Sequence, residues 1–251
     1  ECKEGSLQHL GSGTEQLAEE VSTLFPDAVV ARMDTDTTRG ATSYEQILND
    51  FSQGKSQILV GTKMVSKGLD FDNVRVVGII QADSLLNFPN FRSHEEGFQM
   101  ITQASGRSGR KDVAGTVIIQ TSNPNQPIFD YIKNNDFKNF FNAQLAERSM
   151  FKYPPYYRLI TIKLRYKYEN NVAEAADYFA MLLKRALGER VLGPAVPAVG
   201  RVQQYYIREI LLKMEMGYSV SQVRSILKQS EETVRQRTKF KYIRIHYEAD
   251  I

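Results

Sequence analysis

Gln103-Ala104-Ser105-Gly106-Arg107-Ser108-Gly109-Arg110 places two arginines three positions apart, each beside glycine, with an amide four residues before the first. Arginine suits charge that develops on a phosphoryl group, because its planar fork donates several hydrogen bonds and never deprotonates. Delivered to a transferring γ-phosphate, such a side chain contributes several orders of magnitude in rate. Gly106 lets the backbone bend close to such a ligand. The bland alternative is a glycine-rich turn carrying two solvated arginines.

A second cluster lies about forty residues earlier. Ile58-Leu59-Val60-Gly61-Thr62-Lys63 is followed by Lys67-Gly68-Leu69-Asp70-Phe71. An apolar run ending in Gly-Thr reads as a buried parallel strand whose carboxyl end opens onto a site. Thr62 can offer its hydroxyl to a backbone phosphate, and Gly61 lets the chain approach. Gly68 permits the turn that points Asp70 back toward the same cleft.

These two clusters, in this order, resemble the fifth and sixth signature motifs of superfamily 2 helicases. Further pieces narrow the resemblance: Gly11-Ser12-Gly13-Thr14-Glu15, Arg32-Met33-Asp34-Thr35-Asp36-Thr37-Thr38, Asp83-Ser84-Leu85-Leu86, Pro89-Asn90-Phe91-Arg92, Phe98-Gln99, and Ala146-Glu147-Arg148 before Tyr153-Pro154-Pro155-Tyr156. Together they resemble the PriA family of replication-restart helicases (primosomal protein N-prime), more weakly after Lys167. The family is variable around Asp70, so that position carries over less firmly than Arg110.

The resemblance implies an ATP- and Mg2+-dependent 3′-to-5′ DNA helicase that restarts stalled forks and assembles the primosome. ATP would sit between two motor lobes. Arg107 and Arg110 would reach its γ-phosphate, with Gln103 positioning water or phosphate. Gly68, Asp70 and Gly106 would couple the nucleotide to the DNA, while Gly61, Thr62, Lys63 and Lys67 would hold its backbone. A cysteine-rich zinc region precedes the Gly-x-Gly-Thr-Glu turn in that family, so Cys2 would be the last ligand of a Zn2+ site that one thiol cannot hold. Single-stranded and forked DNA, the tail of single-stranded-DNA-binding protein and other primosome proteins are the implied partners. The implied setting is the bacterial cytoplasm at the nucleoid, and the implied state a monomer. Another superfamily 2 repair translocase, or a non-enzymatic DNA-binding adaptor, are the alternatives.

Absences bound the chemistry. Gly54-Lys55-Ser56 imitates the end of a P-loop, but Asn49 stands where that motif needs glycine. With no Walker A sequence and no acidic magnesium motif, half of an ATP site is missing, and the chain is expected to be inactive alone. Asp34 and Asp36, in a threonine-rich turn, read as loop-ordering residues before they read as a metal pair. The three histidines are scattered, and one cysteine excludes an internal disulfide. No apolar run reaches the roughly 18 residues of a membrane helix, and no secretory leader is visible.

The elements that must position these residues follow from periodicity. Helices are expected at 14–24 (capped by Thr14), 43–51, 93–104 and 137–150, alternating with strands at 28–33, 57–61, 74–80 and 115–121. That alternation predicts βαβ units and a parallel sheet, a RecA-like second helicase lobe. Tyr153-Pro154-Pro155 breaks the last helix. Beyond it, strands at 158–166, 191–192, 203–214 and 242–247, with helices at 173–187 and 220–229 (extending toward 237), give an α+β split-βαβ, ferredoxin-like order. The expected division is 1–13 as a zinc-region remnant, 14–152 as the lobe and 153–251 as a basic domain. Charge divides similarly: within an overall +3, residues 1–150 carry −5 and residues 151–251 carry +8. The basic part is a candidate nucleic-acid surface. Its aromatics, in Gln203-Gln204-Tyr205-Tyr206 and Lys239-Phe240-Lys241-Tyr242, could stack bases or be core residues.

Overall fold

The computed structural model describes residues 13–34, 37, 41–62, 74–106 and 115–250. The chain divides into two compact units, one up to Phe140 and one from Phe141.

In the first unit, α1 (Thr14–Leu24) precedes β1 (Val30–Met33), α2 (Ala41–Ser52) precedes β2 (Ile58–Gly61), and β1 and β2 pair in parallel. α1 packs on both strands and α2 on β1. Met33 and Val60 are the buried residues of this ladder. The second parallel ladder joins β3 (Val76–Ile79) to β4 (Thr116–Ile119). Between them run α3 (Ala82–Leu86) and α4 (Ser93–Ser105); α5 (Pro127–Lys133) follows β4. The parallel pairing expected of this half is therefore present among the described residues as two ladders, not one continuous sheet.

α4 buries one stripe, Ser93, Gly97, Phe98 and Ile101, which is helical spacing. Phe98 stacks on Phe140 with ring centroids 4.3 Å apart and planes 9° from parallel. Gly97 lies against α3: a Cβ there would fall 2.4 Å from Leu86 Cδ2. These contacts fix which face of α4 turns outward.

α6 (Phe137–Met150) runs across the division between the units. It ends at Met150, and Lys152, with φ 58°, turns the chain out of the helix ahead of Pro154 and Pro155. Arg148 donates to Pro154 O at 3.2 Å. Lys213 donates to Phe151 O at 2.6 Å and lies 3.8 Å from the centroid of the Tyr153 ring. Burial, then the nearby Lys152, lowers the Lys213 pKa.

The second unit holds β5 (Tyr157–Tyr166), α7 (Glu169–Leu187), β6 (Val191–Ala195), β7 (Arg201–Val202), β8 (Tyr205–Glu215), α8 (Val220–Arg235) and β9 (Arg244–Asp250). The sheet order is β6-β8-β5-β9, antiparallel throughout, with β7 also on β8. A long strand inserted between the two strands of a βα unit is the split-βαβ arrangement that the element order predicts. α7 presents Val172, Ala175, Ala176, Phe179, Leu183 and Leu187 to the sheet, all at most 1% exposed. They meet Ile162, Leu164, Ile210 and Leu212 in one core. Ser219 caps α8 by accepting from Gln222 N, and Glu231 on α8 takes the Tyr247 hydroxyl at 2.8 Å, tying edge strand β9 to the helix. Among the described residues no helix is long and apolar enough to cross a membrane.

Candidate functional site

In the β1–β2 ladder Met33 pairs with Gly61. Asp34 and Thr62 therefore leave neighbouring strands side by side at the carboxyl edge, where parallel α/β sheets place their ligands. Gly61 and Thr62 are exposed there. Asp34 is only 8% exposed and serves as the anchor of this edge. Its carboxylate accepts from the Thr14 hydroxyl at 2.7 Å and from Thr37 N at 2.9 Å, and pairs with Arg32 Nε at 3.1 Å. Asp34 N in turn donates to the Thr37 hydroxyl at 2.9 Å, and Arg32 reaches Glu15 at 3.0 Å. The loop-ordering role expected of Asp34 is what these bonds perform. Thr14 is not the cap of α1: Gly13 holds that position with no side-chain cap, and the Thr14 hydroxyl goes to Asp34 instead.

The edge of the other ladder is tied by a carboxylate too. Asp83, in the first turn of α3, accepts from Ser122 N at 2.7 Å and the Thr121 hydroxyl at 2.8 Å. Those bonds, the Ser122 N–H first, lower the Asp83 pKa. Gln81, with φ 54°, turns the chain out of β3 and donates its N–H to the Gln120 side chain at 3.1 Å. In the sequence the only mark of this clamp was the Asp83-Ser84-Leu85-Leu86 string, which gave no bonding partner.

Gln103 lies two residues past fully buried Ile101 and is exposed. Gly106 closes α4, its N–H bonded to Thr102 O at 3.0 Å. Its φ of −67° is open to any residue, and a Cβ there would meet only ordinary contacts, 3.5 Å from Thr102 O and 3.6 Å from Gln103 O. Nothing within the helix calls for glycine at 106. Arg107, Arg110, Lys63, Lys67, Gly68, Asp70, Asp36 and Cys2 lie outside the described residues. Among the described residues no group of three His, Cys, Asp or Glu side chains could hold a metal, and the chain's single cysteine does not fit a structural zinc.

The aromatics singled out in the second unit separate by burial. Phe240 is core at 3% exposed, and Tyr206 packs against the same core. Tyr205 is half-buried and Tyr242 is 72% exposed. Basic side chains accompany several rings: Arg237 over Tyr178 at 3.6 Å, Arg201 over Tyr206 at 4.9 Å and Arg244 over Tyr205 at 5.0 Å.

Residues 12–112 match the helicase conserved C-terminal domain, and residues 149–250 match the primosomal protein N C-terminal domain. Replication restart protein PriA of Bacillus subtilis (strain 168) is 36% identical over 247 residues, spanning 98% of this chain and 30% of that protein. PriA of Synechocystis sp. is 40% identical over 215 residues (85% and 26%), and PriA of Borreliella burgdorferi 30% over 251 residues (98% and 37%). The chain thus spans about a third of the length of these curated relatives. Two domain matches in this order, and relatives along nearly the whole chain, meet the resemblance carried by the motifs. The chain belongs to the family of replication restart protein PriA, of which it carries the helicase C-terminal domain and the primosomal C-terminal domain that follows it.

Proposed function

We propose that this chain supplies the second motor lobe and the basic C-terminal domain of an ATP-dependent 3′-to-5′ DNA helicase that restarts replication forks. The observation that carries the proposal is the carboxyl edge of the β1–β2 ladder. Exposed Gly61 and Thr62 stand there beside the Asp34 turn, which Thr14, Arg32 and Thr37 hold in place. A strand end that lies beside an anchored turn and is followed by a small hydroxyl suits a phosphodiester contact that carries no sequence information. Gly106, which its own helix does not require, supports a ligand approaching the backbone at the end of α4. Domain limits of 14–152 for the lobe and 153–251 for the basic domain complete the assignment.

In the whole protein, ATP with Mg2+ supplies the free energy for movement along DNA. Arg107 and Arg110 act on the charge that develops at the γ-phosphate, and Gln103 orients water or phosphate beside them. Thr62, with Lys63 and Lys67, grips the DNA backbone. Gly68 and Asp70 carry closure at the nucleotide to that grip. Zinc belongs to residues outside this chain, with Cys2 as the one ligand it contributes. The partners are single-stranded and forked DNA, the tail of single-stranded-DNA-binding protein and primosome proteins, met by a monomer at the nucleoid.

The test has two arms. The 251-residue chain alone turns over no ATP, since it has no P-loop; DNA-stimulated turnover abolished by Arg110→Ala would overturn that. In the full-length protein, Arg110→Ala cuts turnover by about 10³-fold with DNA affinity nearly unchanged. Lost DNA binding with retained turnover would move Arg110 to the DNA channel.

A further inference from the structure

The face of the second unit's sheet opposite α7 and α8 carries side chains from alternate positions of β5, β8 and β9. Along β5 these are Thr161, Lys163 and Arg165; on β9 they are Arg244, His246 and Glu248. The cations on this face are treated in two different ways. Lys163 is neutralised from both sides, by Glu248 at 2.7 Å and Glu209 at 3.7 Å. Arg165 and Arg244 are direct cross-strand partners in the β5–β9 ladder. Among the described residues, neither has a carboxylate partner. Their Cβ atoms are separated by about 5 Å, and like charges so opposed destabilise a sheet unless an anion joins them. Arg165 Nε is buried with no hydrogen-bond partner, a donor left over by the protein's own bonding.

Arg244 is exposed, yet it is not loose. Its guanidinium carbon lies 5.0 Å from the centroid of the Tyr205 ring, and Tyr205 projects from β8 onto this same face. An arginine placed over an aromatic ring still has N–H groups for a second partner, and phosphate matches that fork. The far end of the face is occupied: Lys213, on the β8 residue opposite Leu159, is covered by Phe151 and Tyr153. Six residues along β5, about 20 Å away, the arginine pair has no such cover from that segment.

We propose that Arg165 and Arg244, with Tyr205 supporting the latter, form a phosphodiester-binding site for single-stranded DNA. The proposal rests on the nucleic-acid reading of this family member and assigns it a place. A single strand fits better than a duplex because an aromatic ring beside paired cations can also receive an unstacked base. The site reads charge and not sequence.

The test titrates a labelled oligothymidylate of about 15 nucleotides with the 251-residue chain across a salt series. The Arg165→Ala/Arg244→Ala variant binds about tenfold more weakly, and its slope of log affinity against log salt falls by about 1.4, two single-strand phosphate contacts. The Arg165→Lys/Arg244→Lys variant keeps the slope. Tyr205→Leu lowers affinity and leaves the slope. Without DNA the alanine variant melts at or above the parent, since a repulsion has been removed. Parent binding with an unchanged double variant overturns this site and leaves the nucleic-acid reading standing; no binding by the parent overturns both. Loss of polyglutamate binding with oligonucleotide binding intact makes this a dock for an acidic protein segment and overturns the proposal. Equal losses of melting temperature in the alanine and lysine variants make the arginines structural and overturn it as well.

Discussion

Carboxylates tie the strand ends of both ladders in the first unit. Asp34 takes three partners at the end of β1, and Asp83 takes two at the end of β4. Asp34 was legible, since an aspartate three residues before a threonine in a polar turn has an obvious local acceptor role. Asp83 was not, because Thr121 and Ser122 are 38 and 39 residues away in sequence. The Asp83 carboxyl has its pKa lowered in the fold, chiefly by the Ser122 N–H and then the Thr121 hydroxyl. Its contribution is therefore present above the unfolded-state value and is lost as pH falls through the folded one. Asp83→Asn destabilises the chain by about 1 kcal/mol at neutral pH, a figure discounted for solvent screening. The difference between variant and parent shrinks once pH drops below about 4. Thermal melts of both at neutral and acid pH check this; a gap that widens in acid would mean the clamp does not depend on the carboxylate's charge.

Elements were more legible than the contacts that orient them. Residues 14–24 and 137–150 form helices over the expected spans, because each has a long polar and apolar alternation and a clear stop. The short helices α3 and α5 went unseen: five and seven residues are too few to show a period. The shape of β6 was also hidden. Gly193 has φ 94°, and a Cβ there would sit 2.9 Å from Glu209 O, so the edge strand bulges where glycine alone fits. The seating of α4 depends on Gly97 as well. A β-branched side chain at 97 collides with Leu86, which is 3% exposed and cannot swing into solvent without losing its burial. Gly97→Val destabilises by about 1–3 kcal/mol, the usual penalty for overpacking. On the function proposed above, it also lowers ATP turnover in the full-length protein, because α4 carries Gln103. Chemical denaturation measures the first effect. Unchanged stability would show that α3 yields and does not fix α4.

For the molecule as a whole, the division in charge at about residue 150 has a counterpart in packing. Every residue of the larger core lies between Ile160 and Ile245. The hydrophobic contribution that folds the second unit is thus contained in its own sequence, and 153–251 expressed alone unfolds in one cooperative transition. Some contacts reach beyond those limits: Arg148 donates to Pro154 O at 3.2 Å, and Lys213 donates to Phe151 O at 2.6 Å. Lys213 is partly desolvated, with its pKa lowered by burial first and Lys152 second, and a chain starting at 153 loses the charged hydrogen bond to Phe151 O. A version beginning at Ser149, where the primosomal C-terminal match starts, is therefore more stable than 153–251 by about 1–2 kcal/mol. Lys213→Met, which keeps the stem and drops the charge, abolishes most of that difference. Denaturant midpoints of the two lengths, each with and without the substitution, form the cycle that decides it. Equal midpoints for the two parents would separate the Phe151–Tyr153 segment from the energetics of the sheet and put the boundary of the folding unit at Tyr153.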